Sequence, residues 1–267
     1  MKYVIDHDYH IHSSLSLCSH DPDQSPERIL NYALKYDLKK IVLTNHFWDE
    51  HLPHSCPFYD VQNFERIRSV LPLPQAEGVE FLFGGEADID CEGTIGLLPE
   101  TWEKMDFVII STTHMNLFPP QDGSVQGRAD YWRRRMETVL GSDLPFGKVG
   151  LAHLTGTNID NSSWEGHIAV IDSIGDEEFI AYFKRAKEIG LGIELNIPVA
   201  YYEQKDLERI FRPYFLAKQC GCKFYLGGDC HRATGFDPEH RDFTIAKFQR
   251  MIDILDLQES DKFHITK

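Results

Sequence analysis

Residues 3–12 read YVIDHDYHIH, an apolar and β-branched start that runs into alternating acid and imidazole. Side chains two apart on an extended strand share a face, so Asp8, His10 and His12 are expected to point the same way. The chain continues SSLSLCSHD, so residues 8–21 hold three histidines, two aspartates and a cysteine. One such strand end says little. What decides the fold is that the arrangement recurs.

Six further runs have strand character: KIVLTNH (40–46), EFLFGGEADI (80–89), FVIISTTH (107–114), KVGLAHL (148–154), LGIELNI (191–197) and KFYLGGDCH (223–231). Helical segments lie between several of them. SPERILNYALKYDL (25–38) opens on a Ser-Pro-Glu start and carries Ile29, Leu30, Ala33 and Leu34 as an apolar face. DEEFIAYFKRAKEIG (176–190) has an acidic start and a glycine stop, and DLERIFRPYFLAKQCG (206–221) is similar, with Pro213 expected to kink or split it. In YWRRRMETVL (131–140), Trp132, Met136 and Leu140 are expected inward and the arginines outward. This alternation predicts a parallel sheet, and over 267 residues a closed α/β barrel in a single domain, 1–267.

The strand ends carry chemistry. The second finishes in His46, the third in Glu86, the fourth in His114, the fifth in His153, the sixth in Glu194 and Asn196, the last in Asp229 and His231. In a barrel these ends converge on one mouth. Metal-binding side chains at matched depth on so many strands predict a single polynuclear site.

Composition narrows the partners. A net charge of −15 speaks against long nucleic acid, although cations in a pocket would reverse the local sign for a small phosphorylated metabolite. No secretory leader or membrane-spanning run is visible. The six cysteines form no C-x-x-C pair, consistent with reduced thiols in a cytoplasmic protein.

With these residues in view, the chain resembles the PHP (polymerase and histidinol phosphatase) superfamily. The motifs carrying the resemblance are Asp8-Tyr-His10-Ile-His12, Thr44-Asn45-His46, Gly85-Glu86, His114, His153 and Gly227-Gly-Asp229-Cys-His231. It implies a distorted TIM-like (β/α)7 barrel holding two to three divalent metal ions, Zn, Mn or Fe, at the C-terminal strand ends. One ion would take His10, His12, Glu86 and Asp229. A second would share Glu86 and add His114 and His153. A third would take His46, His231 and a loop residue, for which Cys18, His20 and Asp21 compete and His20 is preferred. Asn45 departs from the family's usual aspartate, which removes a supporting charge but not a ligand. Asp8 is expected to support the site or to orient the loop that follows.

The implied activity is a metal-dependent phosphoesterase acting on a small phosphomonoester through a metal-activated hydroxide, with histidinol phosphate the family's best-known substrate. Glu86, Asp229 and His231 would serve catalysis. Arg232 and then Arg128 are the candidates for gripping phosphate by a bidentate fork. The loops 47–60, 115–128 and 155–175 follow strand ends and would shape the substrate pocket. His51, His54, His167, His240 and His264 are expected on the surface. Three other readings stand beside this one: a phosphodiesterase or nucleotidase on short nucleotides, a non-catalytic metal-binding domain, and an amidohydrolase. His114 stands where the last of these would need a lysine.

Overall fold

The computed structural model describes residues 1–53, 56–160, 162–196, 206–231 and 238–266. Seven parallel strands run in sequence order: β1 (His7–Ile11), β2 (Lys40–Leu43), β3 (Glu80–Ala87), β4 (Phe107–Ser111), β5 (Val149–Ala152), β6 (Gly192–Leu195) and β7 (Lys223–Leu226). The sheet nearly closes. Between β7 and β1 stand an isolated parallel bridge, Ile11 to Cys230, and two backbone bonds, Asp229 N–H to His10 O (2.8 Å) and His12 N–H to Cys230 O (3.0 Å). Lower on the seam a side chain replaces the ladder, because Leu226 N–H donates to His7 Nε2 at 3.1 Å. The result is the expected distorted (β/α)7 barrel.

The strands are shorter than the runs that predict them. Most chemically distinctive residues lie just past the last ladder bond, where the backbone is free to re-aim a side chain. Strand β1 departs further, for its register slips between Asp8 and Ile11. Tyr9 therefore packs inside the barrel beside Phe107 and Tyr225, while Asp8 reaches toward Tyr32 of helix α1 (Pro26–Lys35) at 3.3 Å. Asp8 does not share the face of His10 and His12 that simple alternation predicts.

Two apolar layers result. Inside, Tyr9, Val42, Leu82, Phe107, Ile109, Ala152 and Tyr225 close around Phe263, contributed by the C-terminal segment. Outside, the strands pack against α1, α2 (Phe64–Arg68), α3 (Pro99–Trp102), α4 (Val125–Leu140), α5 (Trp164–Asp172), α6 (Asp176–Ile189), α7 (Leu207–Cys220) and α8 (Pro238–Leu255). Helix α1 begins as its sequence predicts, with Ser25 Oγ accepting from Arg28 N–H at 3.3 Å and Pro26 in the first turn. Ile29, Leu30 and Ala33 are buried, but Leu34 is 46% exposed and lies off the face.

Two further expectations change. Helix α7 runs unbroken through Pro213, because Ile210, Phe211, Tyr214 and Ala217 are buried on both sides of it and packing outweighs one lost backbone bond. In α4, Trp132, Met136 and Leu140 point inward as expected, yet Arg135 is buried with them at 1% exposure. Its guanidinium is paid for by Asp88 Oδ1 at 2.7 Å and by the carbonyls of Ile89 and Ser111. His167, expected on the surface, is fully buried on α5. No helix among the described residues is long and apolar enough to cross a membrane.

Candidate metal centre

Four donor atoms from three strand ends meet near the seam. His10 Nε2 lies 3.3 Å from Glu86 Oε2 and 3.3 Å from Asp229 Oδ1. His12 Nε2 lies at the same 3.3 Å from both carboxylates, and the two imidazole nitrogens are 2.9 Å apart. A tetrahedron whose arms are about 2.0–2.1 Å, as for nitrogen and oxygen on zinc, has edges of roughly 3.3–3.4 Å. The spacing is that of atoms arranged around a common point.

Glu86 faces two ways. Its Oε2 also lies 3.0 Å from His46 Nδ1, while its Oε1 lies 3.0 Å from His153 Nε2 and 3.8 Å from His114 Nε2. Although His46 Nδ1 and Glu86 Oε2 are buried and close, neither makes a hydrogen bond. Their lone pairs are not aimed at one another, which suits a shared cation and wastes two polar atoms otherwise. His10, His153 and Asp229 form one compact donor group, and His46, Glu86 and His114 form another.

The electrostatics agree with a metal-ready set. Burial alone would raise Glu86 and Asp229, but the surrounding imidazoles hold both carboxylates well below their ordinary range. Burial also pushes His46 down, and with help from His12 it brings His231 to about 4. Ionised carboxylates and neutral imidazoles are the forms that donate to a cation. Burial would lower His10 and His153, but the carboxylates of Glu194, Asp229 and Glu86 hold both above the ordinary imidazole range, so each would give up a proton to bind one. The residues present therefore fit a cluster of divalent ions.

Each ligand candidate is oriented from behind. Glu194 Oε1 stands 2.6 Å from His10 Nδ1, and its other oxygen accepts the His153 backbone N–H. Asp88 Oδ2 holds His114 Nδ1 at 2.8 Å, Thr113 Oγ1 holds His153 Nδ1 at 2.8 Å, and Ser16 Oγ lies 3.1 Å from His12 Nδ1. Ser16 donates in turn to Asn45 Oδ1 at 3.0 Å, which also accepts Ser13 N–H at 2.8 Å. The amide at 45 thus keeps the acceptor role an aspartate would fill. Asp8 accepts from Gly228 N–H at 2.9 Å and from His10 N–H at 3.2 Å. Burial raises its carboxyl to about 6, against the pull of those two N–H groups. Lys247 of α8 is buried behind these acids, with Nζ 3.1 Å from Asn196 Oδ1.

Local backbone is bent to achieve this. His153 and Asp229 have φ of 28° and 50°, in the left-handed region that non-glycine residues rarely occupy. Gly227 and Gly228 precede Asp229 because a Cβ would strike the Glu194 carboxylate at the first and Asp8 Oδ2, at 2.5 Å, at the second.

The loop after β1 brings Cys18, not His20, to the cluster. Cys18 joins His12, His46 and His231 with all donor atoms within 4.8 Å of one another, whereas His20 is exposed and belongs to no such group. The turn through Ser16 and Ser19, closed by Ser19 N–H to Ser16 O at 2.9 Å, points residue 18 inward and carries residue 20 out. Asp21 also lies outside the four groups.

The cluster opens into a cavity of about 180 Å³ lined by Cys18, His46, Phe58, Glu86, His114, Asn116, Leu117, Asn158, Asp229 and His231. Arg128 is not among them. Its guanidinium is bonded to the carbonyls of Gly123 (3.1 Å) and Ile159 (3.1 Å), with Asp160 at 3.8 Å. Arg232 and His54 lie outside the described residues. Asp88, Glu194 and Asn116 carry weight that motif reading gives them only in part. Asp88 was open to detection, since it stands two residues beyond Glu86.

No family model matches the chain, and no curated protein matches it either. Among solved structures, the chain is similar to histidinol phosphate phosphatase from Lactococcus lactis subsp. lactis Il1403, complexed with zinc, L-histidinol and phosphate. The TM-score is 0.65 at 16% identity, covering 97% of this chain and 98% of that one. A candidate histidinol phosphatase from Listeria monocytogenes matches with a TM-score of 0.55 at 15% identity, over 89% of this chain and 99% of the other. Over nearly its whole length, this chain has the fold of histidinol phosphate phosphatase.

Proposed function

We propose that this protein is a metal-dependent phosphoesterase that hydrolyses a small phosphomonoester, with residues 1–267 acting as one catalytic domain. The observation that carries the reading is the set of 3.3 Å edges joining His10 and His12 to Glu86 and Asp229. Two further observations support it: the fold shared with an enzyme whose structure holds zinc, L-histidinol and phosphate, and a cavity of about 180 Å³ suited to a metabolite.

In this reading His10, His12, Glu86 and Asp229 would hold one divalent ion, His114 and His153 with Glu86 a second, and His46 and His231 a third. When bound, the ions supply an acidified water and positive charge against the phosphoryl oxygens. The chain does the rest. Glu86 keeps its two oxygens on opposite sides, and Glu194, Asp88 and Thr113 lock the imidazoles, so no reorganisation is needed as charge develops. Asp229 and His231 sit at the opening, where they face the reacting group. Asn116 and Asn158 offer neutral hydrogen bonds to the substrate, Phe58 and Leu117 exclude water from one wall, and Arg232 is proposed as an additional phosphate contact.

Histidinol phosphate heads the list of substrates, because the cavity's aromatic and amide walls suit a small polar ring. The test is phosphate release from a panel of phosphomonoesters by the zinc- or manganese-loaded protein, with Glu86→Gln as control. Release from at least one compound, lost in the variant, is expected. No release across the panel by a protein with its metal bound overturns the proposal.

A further inference from the structure

The geometry points to a thiolate ligand at Cys18, which with His46 and His231 makes the corner of the cluster beside His12 a zinc-selective position chemically unlike the rest. This inference rests on the metal-dependent reading above and extends it to the identity of the ion at one place.

Three observations carry it. First, the donor atoms of Cys18, His12, His46 and His231 lie within 4.8 Å of one another, and Cys18 lines the cavity. Second, His46 is 5% exposed, and its Nδ1 is buried without any hydrogen bond. That nitrogen lies 3.0 Å from Glu86 Oε2 without bonding to it, so the ring grouped with the Cys18 sulfur sits where a cation, not a hydrogen bond, would satisfy it. Third, the loop holding Cys18 is pinned on both sides. Leu17 N–H donates to Gln62 Oε1 at 2.7 Å, Ser19 Oγ donates to the His231 carbonyl at 2.6 Å, and Ser16 Oγ lies 3.2 Å from the His46 N–H that it accepts. Gln24 Nε2 ties the same loop to the carbonyls of His12 and Cys230. The sulfur is therefore presented by a rigid turn rather than left to drift into place.

The donor chemistry sets the preference. Thiolate is soft and selects zinc or cobalt over manganese or magnesium, while carboxylate and imidazole together accept manganese and iron as well. The pair of positions around Glu86 and Asp229 is rich in carboxylate, and the Cys18 corner contains none of its own. The centre is therefore of two kinds, with one corner that manganese fills poorly and zinc fills well.

Cobalt substitution reads this without reference to turnover. The full-length protein, stripped of metal and titrated with Co²⁺, is expected to show a near-ultraviolet thiolate-to-cobalt charge-transfer band. Cys18→Ser and Cys18→His should both lose the band, and Cys230→Ser, altering the thiol between Asp229 and His231, should keep it. Cys18→His restores an imidazole donor and guards against loss through misfolding. It should retain metal while its preference for zinc over manganese at that position falls by at least about tenfold in competition, measured by metal analysis. Absence of the band in cobalt-loaded wild-type protein, or its survival in Cys18→Ser, overturns the inference. A band present with no phosphoester turnover supports the inference and removes the functional reading. Turnover with metal bound and no band does the opposite.

Discussion

Glu194 Oε1 lies 2.6 Å from Nδ1 of His10, fixing which nitrogen of that ring faces Glu86 and Asp229. Replacing it by glutamine keeps the shape but removes the charge that orients and enriches the imidazole. Glu194→Gln is expected to weaken binding at the His10–His12 position about 10–100-fold, with activity falling in proportion at limiting metal. Zinc titration by calorimetry checks this, and unchanged affinity would show that His10 needs no such support.

Asp88 joins His114 Nδ1 (2.8 Å), Tyr59 Oη (2.8 Å) and the buried guanidinium of Arg135 (2.7 Å). Asp88→Asn strands that cation without its counter-charge. We expect a loss of about 3–5 kcal/mol, the range for breaking one side of a buried pair. Thermal unfolding should fall by upwards of about 6 °C. Arg135→Met in the same background should recover part of the loss, since the pair is then gone from both sides.

Removing metal should destabilise the fold. An ion present at about 100 times its dissociation constant contributes roughly 2.7 kcal/mol, so chelation is expected to lower the melting temperature by about 5–10 °C. His10→Ala should melt near the chelated value with or without added zinc. Differential scanning calorimetry separates these cases.

Asp6 gives a pH dependence far from the cluster. Burial would raise its carboxyl, but His7 (2.8 Å) and Lys262 (3.1 Å) outweigh burial and bring it to about 2. A folded-state value below the unfolded one stabilises above the unfolded value of 3.8, and that contribution disappears as pH falls from there to about 2. Because the side chain is about a third exposed, screening leaves a contribution on the order of 1 kcal/mol. Urea midpoints of wild type and Asp6→Asn should therefore differ at pH 6 and converge near pH 2.

Phe263 packs against Phe107 and Tyr225 inside the barrel, with centroids at 6.0 Å from each. Phe263→Ala should cost about 3–5 kcal/mol by leaving a cavity there. Zinc affinity should stay within about threefold, because the donor set lies past the opposite strand ends. A parallel collapse of metal binding would show that the two ends are coupled.

Much of this architecture is legible in the sequence because it is periodic and local. Apolar β-branched runs mark each strand, and the donors just past them announce a mouth. Arg135 escapes that reading because amphipathic periodicity treats every arginine as outward, whereas this one spans the layer to an acid 47 positions away. Cys18 and His20 differ in fate only through a turn set by Ser16, Ser19 and Asn45. Chemistry alone favours the imidazole, and the loop geometry overrules it. Asp8 escapes because a slipped register breaks the alternation on which its orientation depends.

The seam between β1 and β7 has a consequence for how the protein matures. His10 and His12 belong to the first strand and Asp229 and His231 to the segment after the last, so the two halves of the pocket meet only when the hoop is fastened. A chain that stops before β7 holds the imidazoles of β1 with no opposite bank, so the donor set is whole only once the hoop is closed.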